Sequence, residues 1–149
     1  MYRNILVPVD AEGLSDRALE HAASLAGALG ARVTLMTVAE PAFAHAAHAG
    51  EMHEALKTDA TTSRAKTLLD SAGGRLRSAN IAYDVCVYCG EKPWEGISMA
   101  ADDHKCDLIV MASRGGSHID GFVFGSVAAS VLTRSHVPVL VVKEPEAEA

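Results

Sequence analysis

The sequence predicts a single α/β domain with a five-stranded, mostly parallel sheet and helices on both faces. Five short apolar segments alternate along the chain with longer segments of helical periodicity, as expected of β-α-β units. Three of the apolar segments are near-continuous, which is typical of strands covered on both faces. The length of 149 residues suits one domain with a sizeable core.

The predicted strands are apolar and rich in β-branched residues. In chain order they lie at residues 2–9, 32–38, 81–88, 107–111 and 137–142. The first, fourth and fifth are the near-continuous runs. Because helical segments separate the strands, right-handed crossovers and a parallel sheet are expected.

Four segments between the strands are predicted helices, at residues 15–29, 51–77, 93–104 and 127–134. The first has one apolar stripe at spacings of three and four, with Ser15 as its expected N-cap and Gly30 as its expected terminator. The second contains Gly73-Gly74, a candidate break. The third begins with Pro93, which suits a first helical turn.

Small and polar residues follow several of the predicted strands. In open parallel sheets, ligands bind beyond the carboxyl ends of the strands, where the strand order reverses. Asp10, residues 39–41 and residues 112–116 follow the first, second and fourth strands. We therefore expect these three strand ends to contribute to one crevice.

The stretch MASRGGSHIDGFVFGS, at residues 111–126, has the pattern of a phosphate site. It continues an apolar strand, opens into small and polar residues, and closes on Gly125-Ser126 before the helix-forming run VAASVLTR. Glycine lets the backbone approach an anion, and the unpaired amides of a helix N-terminus point at it. The pattern predicts a nucleotide ligand, although each glycine taken alone also fits a plain turn.

With these features in hand, the chain closely resembles the universal stress protein family. The matching blocks are ILVPVD from residue 5, SDRALEHA from residue 15, GEKPWEGI from residue 90, DLIVMAS from residue 107 and GSVAASVLTRSHVPVLVVK from residue 125. The resemblance implies a Rossmann-like fold of the adenine nucleotide alpha-hydrolase type over residues 1–143. Residues 144–149 are expected to form a solvated tail.

The nucleotide-binding branch of that family carries a specific glycine pattern: Gly, two residues, Gly, nine residues, then Gly-Ser or Gly-Thr. In this chain Gly115 is the second glycine, nine residues follow, and Gly125-Ser126 completes the pattern. The first glycine is replaced by Ala112. Alanine is compatible with binding if its φ is negative, and it hinders binding if φ must be positive.

The resemblance implies that ATP, with or without Mg²⁺, binds in the crevice. Asp10 would meet the ribose or a cation, and the main chain of Val38 would meet the adenine edge. The ribose and phosphates would be wrapped by Ala112, Arg114, Gly115 and Gly116. Phosphates would receive the backbone amides of Gly125, Ser126 and Val127 and the Ser126 hydroxyl. Pro8, Val9 and Met111 complete the expected binding set.

Two of these side chains have simpler interpretations. Asp10 also fits a cap of the following helix or turn. Arg114 fits an exposed loop cation, although a guanidinium also pairs well with phosphate oxygens.

The cysteines and histidines are interpreted as structural or solvated. Cys86 and Cys89 form a C-x-x-C pair, but on a strand residues three apart point to opposite faces, so the pair is not expected to bind zinc or act in redox chemistry. Cys106 is expected to be buried or partly buried. His45, His48 and His53 lie in and beside an Ala-rich segment that offers little polar support for a metal.

Charge and composition exclude several classes of protein. The net charge of −6 argues against general nucleic-acid binding, which needs clustered Lys and Arg. No apolar run approaches the roughly 20 residues of a membrane span. The amino-terminal segment lacks a signal-peptide pattern, and three cysteines suit a reducing compartment, so a cytoplasmic protein is expected.

The favoured function is an ATP-binding stress sensor or regulator. Binding is expected to order residues 113–124 and alter a surface that a protein partner recognises. The alternatives are a family member without a nucleotide role, acting as a dimeric interaction module, and a slow ATPase. No catalytic residues are assigned, because the sequence lacks a nucleophile elbow, a zinc-protease motif and a lysine-containing phosphate loop.

The last predicted strand, which starts at Val137 and ends at Val142, is expected at an edge of the sheet. An apolar edge strand invites pairing with a second copy. The resemblance implies a symmetric homodimer through this strand, and a tetramer is left open.

Overall fold

The computed structural model describes residues 1–10, 15–39, 60–113 and 125–143. Within these ranges, five strands alternate with four helices. The strands are β1 (Asn4–Pro8), β2 (Arg32–Ala39), β3 (Tyr83–Cys89), β4 (Leu108–Ser113) and β5 (Val139–Lys143). The helices are α1 (Asp16–Leu29), α2 (Ala60–Ser78), α3 (Pro93–Asp103) and α4 (Ser126–Arg134).

The five strands form one parallel sheet in the order β3-β2-β1-β4-β5. This confirms the predicted fold class. β1 is central, and β3 and β5 are the edges. The order reverses beside β1, because the chain moves from β1 to β2 and β3 on one side and then crosses to β4 and β5 on the other.

Alternating side chains of the strands pack into two hydrophobic cores, one on each face of the sheet. Ile5 and Val7 of β1 pack with α1 and α2, whereas Leu6 packs with α3 and α4. These three side chains are fully buried. β1 therefore has the apolar character expected of a strand that is covered on both faces.

The ends of α1 confirm one expectation and change another. Gly30 terminates the helix in the left-handed conformation, with φ 66°. Ser15 stands at the N-cap position, but its side chain makes no capping bond. Its hydroxyl accepts a hydrogen bond from the Asp10 N–H at 3.2 Å instead.

The break proposed at Gly73-Gly74 is wrong, because α2 continues through both glycines to Ser78. A Cβ on Gly73 would lie only 2.6 Å from Oη of Tyr83, so the missing side chain lets β3's tyrosine approach the helix. Gly73 therefore serves packing rather than a turn. Residues 51–59 of the predicted helix lie outside the described ranges.

The strand boundaries differ from the predictions by one or two residues. β1 begins at Asn4 rather than at residue 2. At this start of the strand, the Asp107 carboxylate accepts hydrogen bonds from the Arg3 and Asn4 backbone amides. β3 begins at Tyr83 rather than residue 81, because the Ile81 N–H still donates to the Leu76 carbonyl at the end of α2.

No described helix combines the length and apolar character that crossing a membrane requires.

Candidate functional site

The strand order reverses between β1 and β4, and in open parallel sheets ligands bind beyond the strand ends at such a point. The two strands pair only at Ile5–Leu108 and Leu6–Ile109. On its other side, β1 stays paired with β2 as far as Pro8–Met36. The carboxyl ends of β1 and β4 are thus not joined by a ladder, at the point where the strand order reverses. We call this candidate site, at the carboxyl ends of β1 and β4, the β1–β4 crevice.

The β1 side of the crevice contains Pro8, Val9 and Asp10. Pro8 is half-buried, and Val9 is buried and donates its N–H to the Met36 carbonyl at 2.8 Å. Asp10 is exposed, and its backbone N–H is bonded to the buried Ser15 hydroxyl. The N–H groups of Val9 and Asp10 are both hydrogen-bonded, which fixes the backbone from which the Asp10 carboxylate extends.

The main chain of Val38 lies past the last β1–β2 pair. The Met36 carbonyl accepts the Val9 N–H and so points toward β1. In a parallel strand every second residue points its N–H and C=O to the same side, so the Val38 backbone also points toward β1. The Val38 side chain packs below α3, where a Cβ on Gly96 would lie 3.0 Å from its Cγ2. The side chain is therefore used in packing, and the backbone edge faces the end of β1.

The β4 side of the crevice contains Met111 and Ala112. Met111 is buried against α3 and α4, whereas Ala112 is half-buried on the α1 face. Among described non-glycine residues, only Asn80 and Lys105 have positive φ. Ala112 belongs to the extended strand β4, so its backbone conformation is one that alanine adopts without strain.

Ser113, which the sequence analysis assigned no separate role, links the end of β4 to the start of α4. It is only 3% exposed. Its hydroxyl accepts a hydrogen bond from the Gly125 N–H at 3.3 Å. A serine at the end of a buried apolar strand was the available signal, but the partner is twelve residues away, and only the fold brings the two together.

The amino end of α4 has amides that find no acceptor within the helix itself. Gly125 is the N-cap residue, and no side-chain hydrogen bond caps this helix among the described residues. The first intrahelical bond runs from the Ala129 N–H to the Gly125 carbonyl at 3.0 Å. The amides of Ser126, Val127 and Ala128 consequently have no acceptor within the helix and carry the positive end of its dipole. This arrangement favours an anion.

Several predicted features lie outside the described residues. These are Arg114, Gly115, Gly116, the remainder of the segment 114–124, residues 40 and 41, and the histidines at 45, 48 and 53. The other predicted binding residues lie at the carboxyl ends of three neighbouring strands and at the start of one helix. They are Pro8, Val9 and Asp10 at the end of β1, Val38 on β2, Met111 and Ala112 on β4, and Gly125, Ser126 and Val127 at the start of α4. In the described ranges no three His, Cys, Asp or Glu side chains are grouped to hold a metal ion.

The three cysteines lie on β3 or just before β4. Cys86 packs on the α3 and α4 face, and Cys89 falls on the opposite face by the alternation of β3. Burial raises the pKa of the Cys86 thiol to about 12 and that of the buried Cys106 thiol to about 11. Such thiols stay protonated at neutral pH, unlike reactive thiolates.

Comparisons with known proteins agree with this architecture. A sequence model of the universal stress protein family matches residues 1–143. Universal stress protein Rv1636 of Mycobacterium tuberculosis is 30% identical over an alignment of 144 residues that covers 95% of this chain and 96% of that protein. The solved structure of MJ0577, from Methanocaldococcus jannaschii, has a TM-score of 0.78 and 27% identity, with 99% of both chains covered. A universal stress protein solved in complex with cAMP has a TM-score of 0.71 and 27% identity, over 95% of this chain and 97% of that one.

Proposed function

We propose that this chain, which belongs to the universal stress protein family, binds ATP in the β1–β4 crevice, with or without Mg²⁺. One observation carries the proposal. The amino end of α4, which no described side chain caps, is tied through Gly125 to the end of β4, at the β1–β4 crevice. This places backbone donors for an anion next to a site of the kind that holds nucleotides in parallel α/β sheets.

The geometry suggests a role for each side of the crevice. The amides of Ser126 and Val127 would receive phosphate oxygens, because they lack acceptors within α4. The Val38 backbone edge would meet the adenine, and Asp10 would meet the ribose or a bound cation. The related protein solved with cAMP supports an adenine nucleotide as the ligand class. A triphosphate is our specific proposal.

We further propose that nucleotide occupancy is the signal that this protein transmits. A ligand shifts a conformational equilibrium only if it binds the two states with different affinities. Contacts at both ends of the segment 114–124 would supply that difference, and a protein partner would recognise the resulting surface. In this proposal the protein acts in the cytoplasm as a homodimer formed through β5.

Ligand titration followed by hydrogen exchange tests the proposal. Adding ATP with Mg²⁺ should raise the melting temperature of the wild-type protein and slow amide exchange over residues 115–127. Acid extraction of freshly purified protein should release an adenine nucleotide. Unchanged exchange at saturating ATP, with no nucleotide in the extract, would contradict the proposal and favour an interaction module. Steady phosphate release above a buffer blank would instead indicate an ATPase.

A further inference from the structure

We infer that Ser113 is a positioning residue that orients the phosphate-binding amides of α4, an inference that rests on the proposed function. The side chain is held by the sheet. Ser113 is the last residue of β4 and pairs with Lys143 of β5. With 3% of its surface exposed, its hydroxyl has little freedom to move. It therefore provides a fixed acceptor at the edge of the crevice.

Ser113 holds Gly125, a residue with no side chain that could restrict its own backbone. Gly125 lacks a side chain, and its backbone is extended, with φ −52° and ψ 149°. Its N–H donates to Ser113 Oγ at 3.3 Å, and its carbonyl accepts from the Ala129 N–H at 3.0 Å. These two bonds fix both peptide groups of Gly125 and so connect the first turn of α4 to the end of β4.

The direction of the following amides depends on that connection. The N–H groups of Ser126 and Val127 follow directly from the Gly125 peptide, so rotation about Gly125 would turn them away from the crevice. Glycine restricts such rotation less than any other residue. Ser113 thus lowers the cost of ordering the donors before an anion arrives, which is how preorganisation increases affinity.

Ser15 shows the same kind of contact on the other side of the crevice, with a different consequence. Its hydroxyl accepts the Asp10 N–H at 3.2 Å and is 4% exposed. Asp10 follows β1, whereas the α4 amides are connected through Gly125 to the end of β4. Ser113 should therefore affect the phosphates of a ligand, and its removal should leave the binding of a nucleoside without phosphates largely unchanged.

A pair of substitutions of nearly equal shape tests this inference. Ser113→Thr keeps the hydroxyl, whereas Ser113→Val replaces it with a methyl group, and both residues suit a strand. Calorimetry would measure ATP and adenosine binding to both variants and to wild type. Ser78→Ala, which removes an exposed hydroxyl bonded to Gly74 on α2, is the distant control. NMR exchange of the Gly125 amide in ligand-free protein would report the hydrogen bond itself.

We expect Ser113→Val to weaken ATP about tenfold, the effect of one hydrogen bond, with adenosine changed less than about twofold. Ser113→Thr and Ser78→Ala should retain wild-type ATP affinity, and Gly125 should exchange faster only in Ser113→Val. Equal ATP affinity in the Thr and Val variants, or equal Gly125 exchange, would overturn this inference alone. A wild-type protein that binds no ATP would overturn the proposed function and this inference together.

Discussion

Ala112 stands where the family's nucleotide-binding pattern has its first glycine. The sequence left open whether this residue permits binding, because the answer depends on the sign of φ. In the structure Ala112 is part of β4 and is not among the described residues with positive φ. The methyl group packs partly against the core beneath α1. For the proposed nucleotide, the Ala112 methyl group would therefore matter through its volume and not through backbone strain.

Restoring the glycine should bring no gain in binding. We expect Ala112→Gly to leave the ATP dissociation constant within about threefold, because alanine already adopts the extended conformation. The free energy of unfolding should fall by about 0.5–1 kcal/mol, since glycine loses more backbone entropy in a strand. Calorimetry and urea unfolding would measure both. A tenfold increase in affinity would show that the methyl group obstructs the ligand.

Two adjacent glycines of α2 provide a second comparison of single residues. A Cβ on Gly73 would overlap the Tyr83 ring, which is also held by the Arg77 guanidinium through a 2.6 Å bond to Oη. A Cβ on Gly74 would make only an ordinary contact of 3.6 Å with Arg77. The same substitution should thus have opposite effects at the two positions.

We expect Gly73→Ala to destabilise the protein by about 1–2 kcal/mol, because overpacking costs more than the gain in helix propensity. Gly74→Ala should stabilise it by up to about 1 kcal/mol. Urea unfolding of the two variants measures the difference. Stabilisation by Gly73→Ala equal to that of Gly74→Ala would mean that Tyr83 moves aside without cost.

At the scale of the element, α4 is a short helix whose two ends differ in their contacts and charge. Its amino end is uncapped among the described residues and lies by the crevice. Its carboxyl end carries Arg134, whose guanidinium stacks on the Trp94 ring of α3 at 4.3 Å from the centroid. The cation is thus near the negative end of the helix dipole, and the positive end is left for an anion.

A carboxylate introduced at the amino end should compete with a phosphate there. Ser126 is exposed, so we expect Ser126→Asp to stabilise the ligand-free protein by about 0.3–1 kcal/mol through the helix dipole. It should also weaken ATP at least about tenfold, because like charges repel at close range. Thermal unfolding and calorimetry measure the two effects.

Thr133→Asp is the matched control, since Thr133 is exposed in the last turn of the same helix. It should lower stability slightly and leave ATP affinity unchanged. If Ser126→Asp bound ATP as wild type does, the amino end of α4 would not be the phosphate site.

At the scale of the whole molecule, the described sheet has two edge strands, β3 and β5. The predicted edge position of the last strand is confirmed, since β5 pairs only with β4 in the described sheet. Leu140 on β5 is 39% exposed, and Val85 on β3, the other edge, is 48% exposed. Our proposal of a homodimer assigns the interface to β5.

A lysine on each edge distinguishes the two. In a symmetric dimer through β5, Leu140→Lys would bring like charges together and should leave a monomer of 15.6 kDa. Val85→Lys should stay dimeric at the same micromolar concentration. Sedimentation equilibrium measures the masses. A wild-type monomer, or dissociation by Val85→Lys alone, would contradict an interface through β5.

The sequence was a good guide to elements because their signals are local. Apolar runs marked all five strands, and periodicity with Gly30 and Pro93 marked the helices. It was a poorer guide at Gly73, where a local rule suggested a break. At that position the close approach of the Tyr83 side chain, on the next strand, leaves no room for a side chain larger than that of glycine. The candidate site was located for the same reason as the strands: its residues follow strand ends.

By itself, the sequence determined the alternation of strands and helices, the family, and the residues at the carboxyl ends of the strands. Only the tertiary structure decided that the β1–β4 pairing ends at Leu6 and Ile109, that Ser113 holds Gly125, and that Ser15 bonds Asp10 instead of capping α1. Periodicity reports which side of a segment is buried, and it carries no information on which distant segment covers it. Contacts between residues far apart in the chain are fixed when the elements pack.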